Sequence, residues 1–239
     1  MLAAAVILSI AATSVFAQKP SNKPRVPPGV DPGGVAIAII GNGVDYTRPE
    51  IAARLARDGE GEIIGWDFVD DDRRPYHLCD PRMGNHAHLH CDRDDYRAVL
   101  LAAPQARLIP MRVPDGKPNQ VHVNAIRAVA NTPARIVLLS NSFDDGLHYE
   151  FALEASRRFP KTMFIARAPD NKPPRTIETA VGLQQMPSNL LLTWDSPLAG
   201  AAAVLVLSGQ PDLDVQTLRN VVQTKGAFGP FPPPAWATK

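Results

Sequence analysis

The chain has 239 residues, of which 45% are hydrophobic and 21% charged, enough for one domain with a sizeable core. Lys plus Arg number 25 against 24 Asp plus Glu, a near-zero balance that argues against nucleic acid or an anionic membrane surface as partner. Proline is frequent, with 24 residues concentrated near the two ends and in short connectors.

Residues 1–17 carry no charged side chain, and the run ends in Val15-Phe16-Ala17, with small residues where a signal peptidase reads. The stretch falls short of the roughly 20 residues of a membrane span. It is read as a cleaved signal peptide, which predicts a secreted or periplasmic product with no stable membrane span after cleavage. Residues 18–33, rich in Pro and Gly, read as a flexible leader.

Val35 to Ile40 is a continuous apolar run ending in Gly41-Asn42-Gly43, the pattern of a strand buried on both faces of a parallel sheet. Residues 48–58 have helical spacing, and 61–69 read as a strand. A polar stretch, 70–95, follows with four of the six histidines. Within it Asp70, Asp71 and Asp72 are expected to form an exposed charged turn. Cys79 and Cys91 read as a disulfide across a short loop, worth on the order of 2–3 kcal/mol, against the alternative of two unpaired thiols.

Residues 96–103 suit a short helix, 106–113 a strand, 122–131 a helix and 135–143 a buried strand. The helix 147–159 and strand 162–168 come next, then a Pro-rich connector and the strand 189–194. Asp195-Ser196-Pro197 opens the apolar helix 198–208, since Ser or Asp at the cap and Pro in the first turn start helices well. Residues 213–225 form a last amphipathic helix, and 226–239 a Pro-rich tail. Alternating strands and helices predict an α/β domain over 34–225 around a mostly parallel sheet.

Several phrases of the sequence resemble, in order, those of the subtilisin-like serine proteases, or subtilases. VAIAIIGNGVDYTRPEI resembles the segment V-A-V-I-D-T-G-V-D-Y that carries their catalytic aspartate, and GWDFVDDD follows in the right place. APQARLIPMRV resembles the strand after the histidine helix, and AIRAVANTPARIVLLSNSF the segment leading to the substrate-binding edge. ALEASRRFPKTMFIARAPDN resembles the segment ending in the oxyanion asparagine, and SPLAGAAAVLVLSGQPDLDVQTLRNVV the serine helix and its successor. The resemblance implies a three-layer α/β/α subtilisin-like fold.

It also implies where the catalytic groups should stand. Subtilase chemistry needs a nucleophilic serine, a histidine base, an aspartate that orients the imidazole and an asparagine donor to the oxyanion. The aspartate position falls on Gly41, and Asp45 lies too late in the loop to substitute. The histidine position falls on Asn85 or His86 counting forward from Gly84, or on His90 or Cys91 counting back from Ala103-Pro104. The oxyanion position falls on Asp170, or Asn171 with one shift, and an ionised aspartate there repels a developing oxyanion. The nucleophile position falls on Leu192, with Ser196 at the family's proline, because the stretch between Asp170 and Leu192 is much shorter than in subtilases. Ser142 and Phe143 retain part of the peptide-binding edge.

The expectation is thus an exported subtilase-like protein without proteolytic activity, retaining at most peptide or protein binding and needing no cofactor. One alternative is a divergent serine endopeptidase. Another is an exported metal-binding protein: His86, His88 and His90 alternate, so in an extended segment they face one side, with His77, Cys79 and Cys91 flanking them. Such a face suits zinc, copper or nickel.

Overall fold

The computed structural model describes residues 22–78, 95–114, 116, 119–140, 147–167, 186–193 and 195–226. Among them are strands β1 (Ala36–Gly41), β2 (Trp66–Asp67), β3 (Arg107–Arg112), β4 (Ile136–Leu139), β5 (Met163–Arg167) and β6 (Leu190–Thr193). They pair in the order β2-β3-β1-β4-β5-β6, and every pairing is parallel. The helices are α1 (Pro49–Ala52), α2 (Asp95–Ala102), α3 (Gln120–Val129), α4 (Leu147–Arg158), α5 (Ser196–Gly209) and α6 (Val215–Gly226).

The strand sequences lack polar alternation because both faces of the sheet are covered. Successive side chains point to opposite faces, and the core divides accordingly. Ile37, Ile39, Ile136, Leu138, Met163, Ile165 and Leu191 pack with α2, α5 and α6. Their neighbours Ala38, Ile40, Val137, Leu139, Phe164, Leu190 and Leu192 pack with α3 and α4 on the other face. This is the expected three-layer α/β/α architecture around a parallel sheet.

Helix α5 lies deepest. Asp195 caps it by accepting a bond from the Leu198 amide at 3.2 Å, and Pro197 sits in its first turn. Small residues let it approach the sheet: a Cβ on Gly200 would stand 3.0 Å from Ile37 Cδ1. At the far side, buried Asn189 donates its amide to the carbonyls of Ser156, Phe159 and Thr162 at 3.0, 3.1 and 2.7 Å. One side chain thereby ties the end of α4 to the start of β6.

Three segments differ from the sequence expectation. The helix expected over 48–58 stops after α1, because the following backbone is claimed by the start of β3. Leu108 N donates to Arg54 O, and Ala56 N to Leu108 O, both at 2.8 Å. The strand expected over 61–69 shortens to β2, since Asp67 turns the chain by accepting bonds from the amides of Val69 and Asp70 at 2.8 and 3.0 Å.

The third is the leader. Residues 22–33 have no helix or strand, yet they are tied down as a strap. Tyr46 Oη donates to Pro24 O at 2.8 Å and the buried Arg57 guanidinium to Pro27 O at 2.7 Å. Asp31 accepts from the amides of Arg57 and Gly33, each at 2.8 Å, and pairs with Arg107. The strap satisfies buried polar groups that would otherwise be costly. Residues 1–21, with the signal expectation, and the tail after Gly226 lie outside the described residues. No helix among the described residues is long and apolar enough to cross a membrane.

Candidate functional site

In parallel α/β sheets, ligand and catalytic groups gather outside the carboxyl ends of the strands. Gly41 is the last residue of β1, at that edge. It stands in register with Arg112 of β3, and its carbonyl accepts a bond from the Val113 amide at 2.8 Å. Two residues on, Gly43 has φ +98°, and a Cβ there would lie 2.7 Å from Pro75 O, so this turn requires glycine.

The side chain nearest in register to Gly41 is therefore a cation, and it is engaged. Arg112 Nη1 donates to Asp67 Oδ2 at 2.8 Å and to Asp70 Oδ2 at 2.9 Å. Lys23, from the strap, reaches the same carboxylates: it pairs with Asp67, with Asp70 at 2.7 Å and with Asp72 at 3.4 Å. Asp67 is fully buried and Asp72 nearly so. The Lys23 hydrogen bond, helped by Arg112, holds the Asp70 carboxyl below the usual carboxylate range. Burial alone would lower the Arg112 pKa, but its bonds to Asp67 and Asp70 outweigh that and raise it. For Lys23 burial likewise works downward, and its bonds to Asp67 and Asp70 prevail.

The exposed charged turn expected at 70–72 is corrected at Asp72, which is buried and pairs with Lys23. Asp70 and Asp71 are exposed: Asp70 pairs with Lys23 and Arg112, and Asp71, at φ +55°, accepts from the Trp66 indole at 3.3 Å. Three carboxylates, Asp67, Asp70 and Asp72, thus share two cations, Lys23 and Arg112, in one ion-pair network. Asp45 is likewise committed: its carboxylate accepts from Thr47 N at 3.1 Å and Thr47 Oγ1 at 2.5 Å, fixing the turn before α1. Beside it, burial pushes the Tyr46 hydroxyl pKa up, against a smaller opposing effect from Arg74, and its ring packs 5.1 Å from that of Tyr76.

Leu192 lies in β6, opposite Ala166 of β5, and is 3% exposed. Its side chain belongs to the aliphatic core beneath α3 and α4. Ser196 opens α5 and is also 3% exposed. Neither residue presents a hydroxyl at an open cleft.

The remaining expectations, at Asn85, His86, His88, His90, Asp170, Ser142, Phe143, Cys79 and Cys91, fall outside the described residues. Among the described residues, no group of three or more His, Cys, Asp or Glu is arranged to hold a metal ion. Sequence reading missed the Lys23–Arg112 network. Its signal was a cation ending an otherwise apolar buried strand, RLIPMR, with an Asp-rich loop nearby in the chain.

No family model matches the sequence. No curated protein matches it either. Among solved structures, a cold adapted subtilisin-like serine proteinase aligns with a TM-score of 0.57 at 13% sequence identity, over 88% of this chain and 88% of that one. At that identity the likeness establishes architecture. With the six-stranded parallel sheet and its two helical layers, it shows that this chain has a subtilisin-like fold.

Proposed function

We propose that this chain is an exported, non-catalytic relative of the subtilisin-like proteases, retaining at most peptide binding along the 135–143 segment. The observation that carries the proposal is the pair of residues at the implied catalytic positions. Gly41 offers no carboxylate to orient an imidazole, and the cation beside it is bound to Asp67 and Asp70. Leu192, at the implied nucleophile position, is an aliphatic residue packed in the core. In subtilisin itself, loss of the serine alone costs about 10⁶ in turnover.

The test is activity-based labelling of the purified protein with a fluorophosphonate, alongside hydrolysis of fluorogenic peptides. The expected outcome is no labelled residue and no turnover above buffer. A serine labelled stoichiometrically, identified by mass spectrometry, would overturn the proposal in favour of a divergent endopeptidase. Stoichiometric zinc or copper after metal challenge and dialysis would favour the metal-binding alternative.

A further inference from the structure

At the opposite edge of the sheet, where the strands begin, a pocket of about 180 Å³ opens beside α5. Val35, Pro133, Leu207 and Pro211 give it apolar walls, and Arg107 and Arg135 flank it. The two guanidinium groups differ in their charge balance. Arg107 is paired with Asp31. Arg135 donates only to backbone carbonyls, those of Pro211 and Leu213. These neutral acceptors fix the guanidinium in place without cancelling its charge. Among the described residues no carboxylate pairs with Arg135.

The pocket thus joins an apolar body to one fixed guanidinium that forms no ion pair with a described carboxylate. A guanidinium on an apolar wall is best complemented by a carboxylate, since the charge-assisted bond forms in surroundings that strengthen it. One net charge matches a monoanion better than a dianion. For size, an apolar cavity of about 150 Å³ is sufficient for a benzene ring. We propose that this pocket binds a small monocarboxylate with an aromatic or branched apolar body, of about the size of benzoate. Its place at the strand starts makes it independent of the edge that holds Gly41, Arg112 and Thr193.

The experiment is an NMR titration of the folded full chain with benzoate and, separately, with benzamide, which has the same shape without the charge. Benzoate should give saturable shifts at the amides of Gly34, Val35, Ala36 and Leu207, in the millimolar range expected of so small a ligand. Benzamide should bind about tenfold more weakly or worse, and Arg135→Gln should weaken benzoate by a similar factor without changing benzamide. Arg135 also anchors the chain after α5, so Arg135→Gln can lose the fold. The benzoate–benzamide comparison on the unaltered chain then decides alone. Equal affinity for the two ligands, or no saturable shift at those amides, overturns the proposal.

Discussion

Replacing Asp67 by Ala removes the centre of the network beside Gly41, and the cost follows from its bonds. The carboxylate is fully buried and accepts from two turn amides, from Arg112 and from Lys23. Breaking a buried ion pair by deleting one partner costs about 3–5 kcal/mol, because the other charge is left desolvated. Here Arg112 keeps Asp70, and Lys23 keeps Asp70 and Asp72, so neither cation is stranded. The expected loss therefore lies at the lower end of that range, about 3 kcal/mol. Asp67→Asn retains an oxygen for the turn amides but sets an amide donor where Oδ2 accepted from Arg112 and Lys23, so a loss at least as large is expected. Urea unfolding followed by circular dichroism and by tryptophan fluorescence measures both variants, and Trp66 adjoins the site. A shifted midpoint at constant m-value reports stability itself. If Asp67→Ala costs less than about 1 kcal/mol, the pairs are behaving as solvated surface contacts and the account of this edge is wrong.

Asn189→Ala should cost about 2–3 kcal/mol in the same assay, since three carbonyls lose one shared donor in a buried place. Asn189→Asp should be at least as damaging, because it turns an acceptor toward those carbonyls; a milder effect than Ala would refute the assignment. Stability should also fall on acidification. At Asp31 burial alone would raise the pKa, but the amides of Arg57 and Gly33 and the Arg107 side chain outweigh it and hold the carboxyl below its ordinary value. Asp70 is held low as well, first by Lys23. A depressed folded pKa gives stability that is complete above the unfolded carboxylate value of about 4 and is lost as pH falls through the folded value. Asp70 is about half exposed, 49%, and solvent screening reduces its share, so Asp31 should supply more of the slope. Asp31→Asn should flatten the decline in urea midpoint between neutral pH and the acid limb, and an unchanged slope would contradict this.

The strands were legible because their cause is local and repeated. Runs such as AIAIIG, IVLL and MFIAR are apolar at every position, which only a sheet covered on both faces requires. Helix α5 was legible from Asp195, Ser196 and Pro197, an N-terminal signature in three residues. What failed depended on distant partners. Residues 54–57 have helical spacing, but their backbone pairs with Leu108, some fifty residues on in the chain. The strap looked like a linker because Pro and Gly dominate its composition, while its bonds are made by Tyr46, Arg57 and Arg107 from elsewhere. At the site the residue types at Gly41 and Leu192 could be read by comparison with a motif. That Arg112 lies beside Gly41 could not, because it follows from the register of β1 on β3.

That register bears on how deeply the proposed loss of catalysis is built in. Neighbouring strands lie about 5 Å apart, so a carboxylate introduced as Gly41→Asp would arise beside Arg112, whose guanidinium is held by Asp67 and Asp70. A third acceptor within reach of that cation would draw Arg112 away from buried Asp67. At β6 the conflict is of a different kind. Leu192→Ser would exchange a packed aliphatic side chain for a hydroxyl directed into the core beneath α3 and α4, losing several kilocalories of packing. It would also supply no open cleft for a substrate. On the proposed reading the two changes are therefore more than missing letters in a motif. At one strand end the charges of the catalytic edge now hold the strap to the sheet, and at the other the nucleophile position has become part of the core that holds α4 in place.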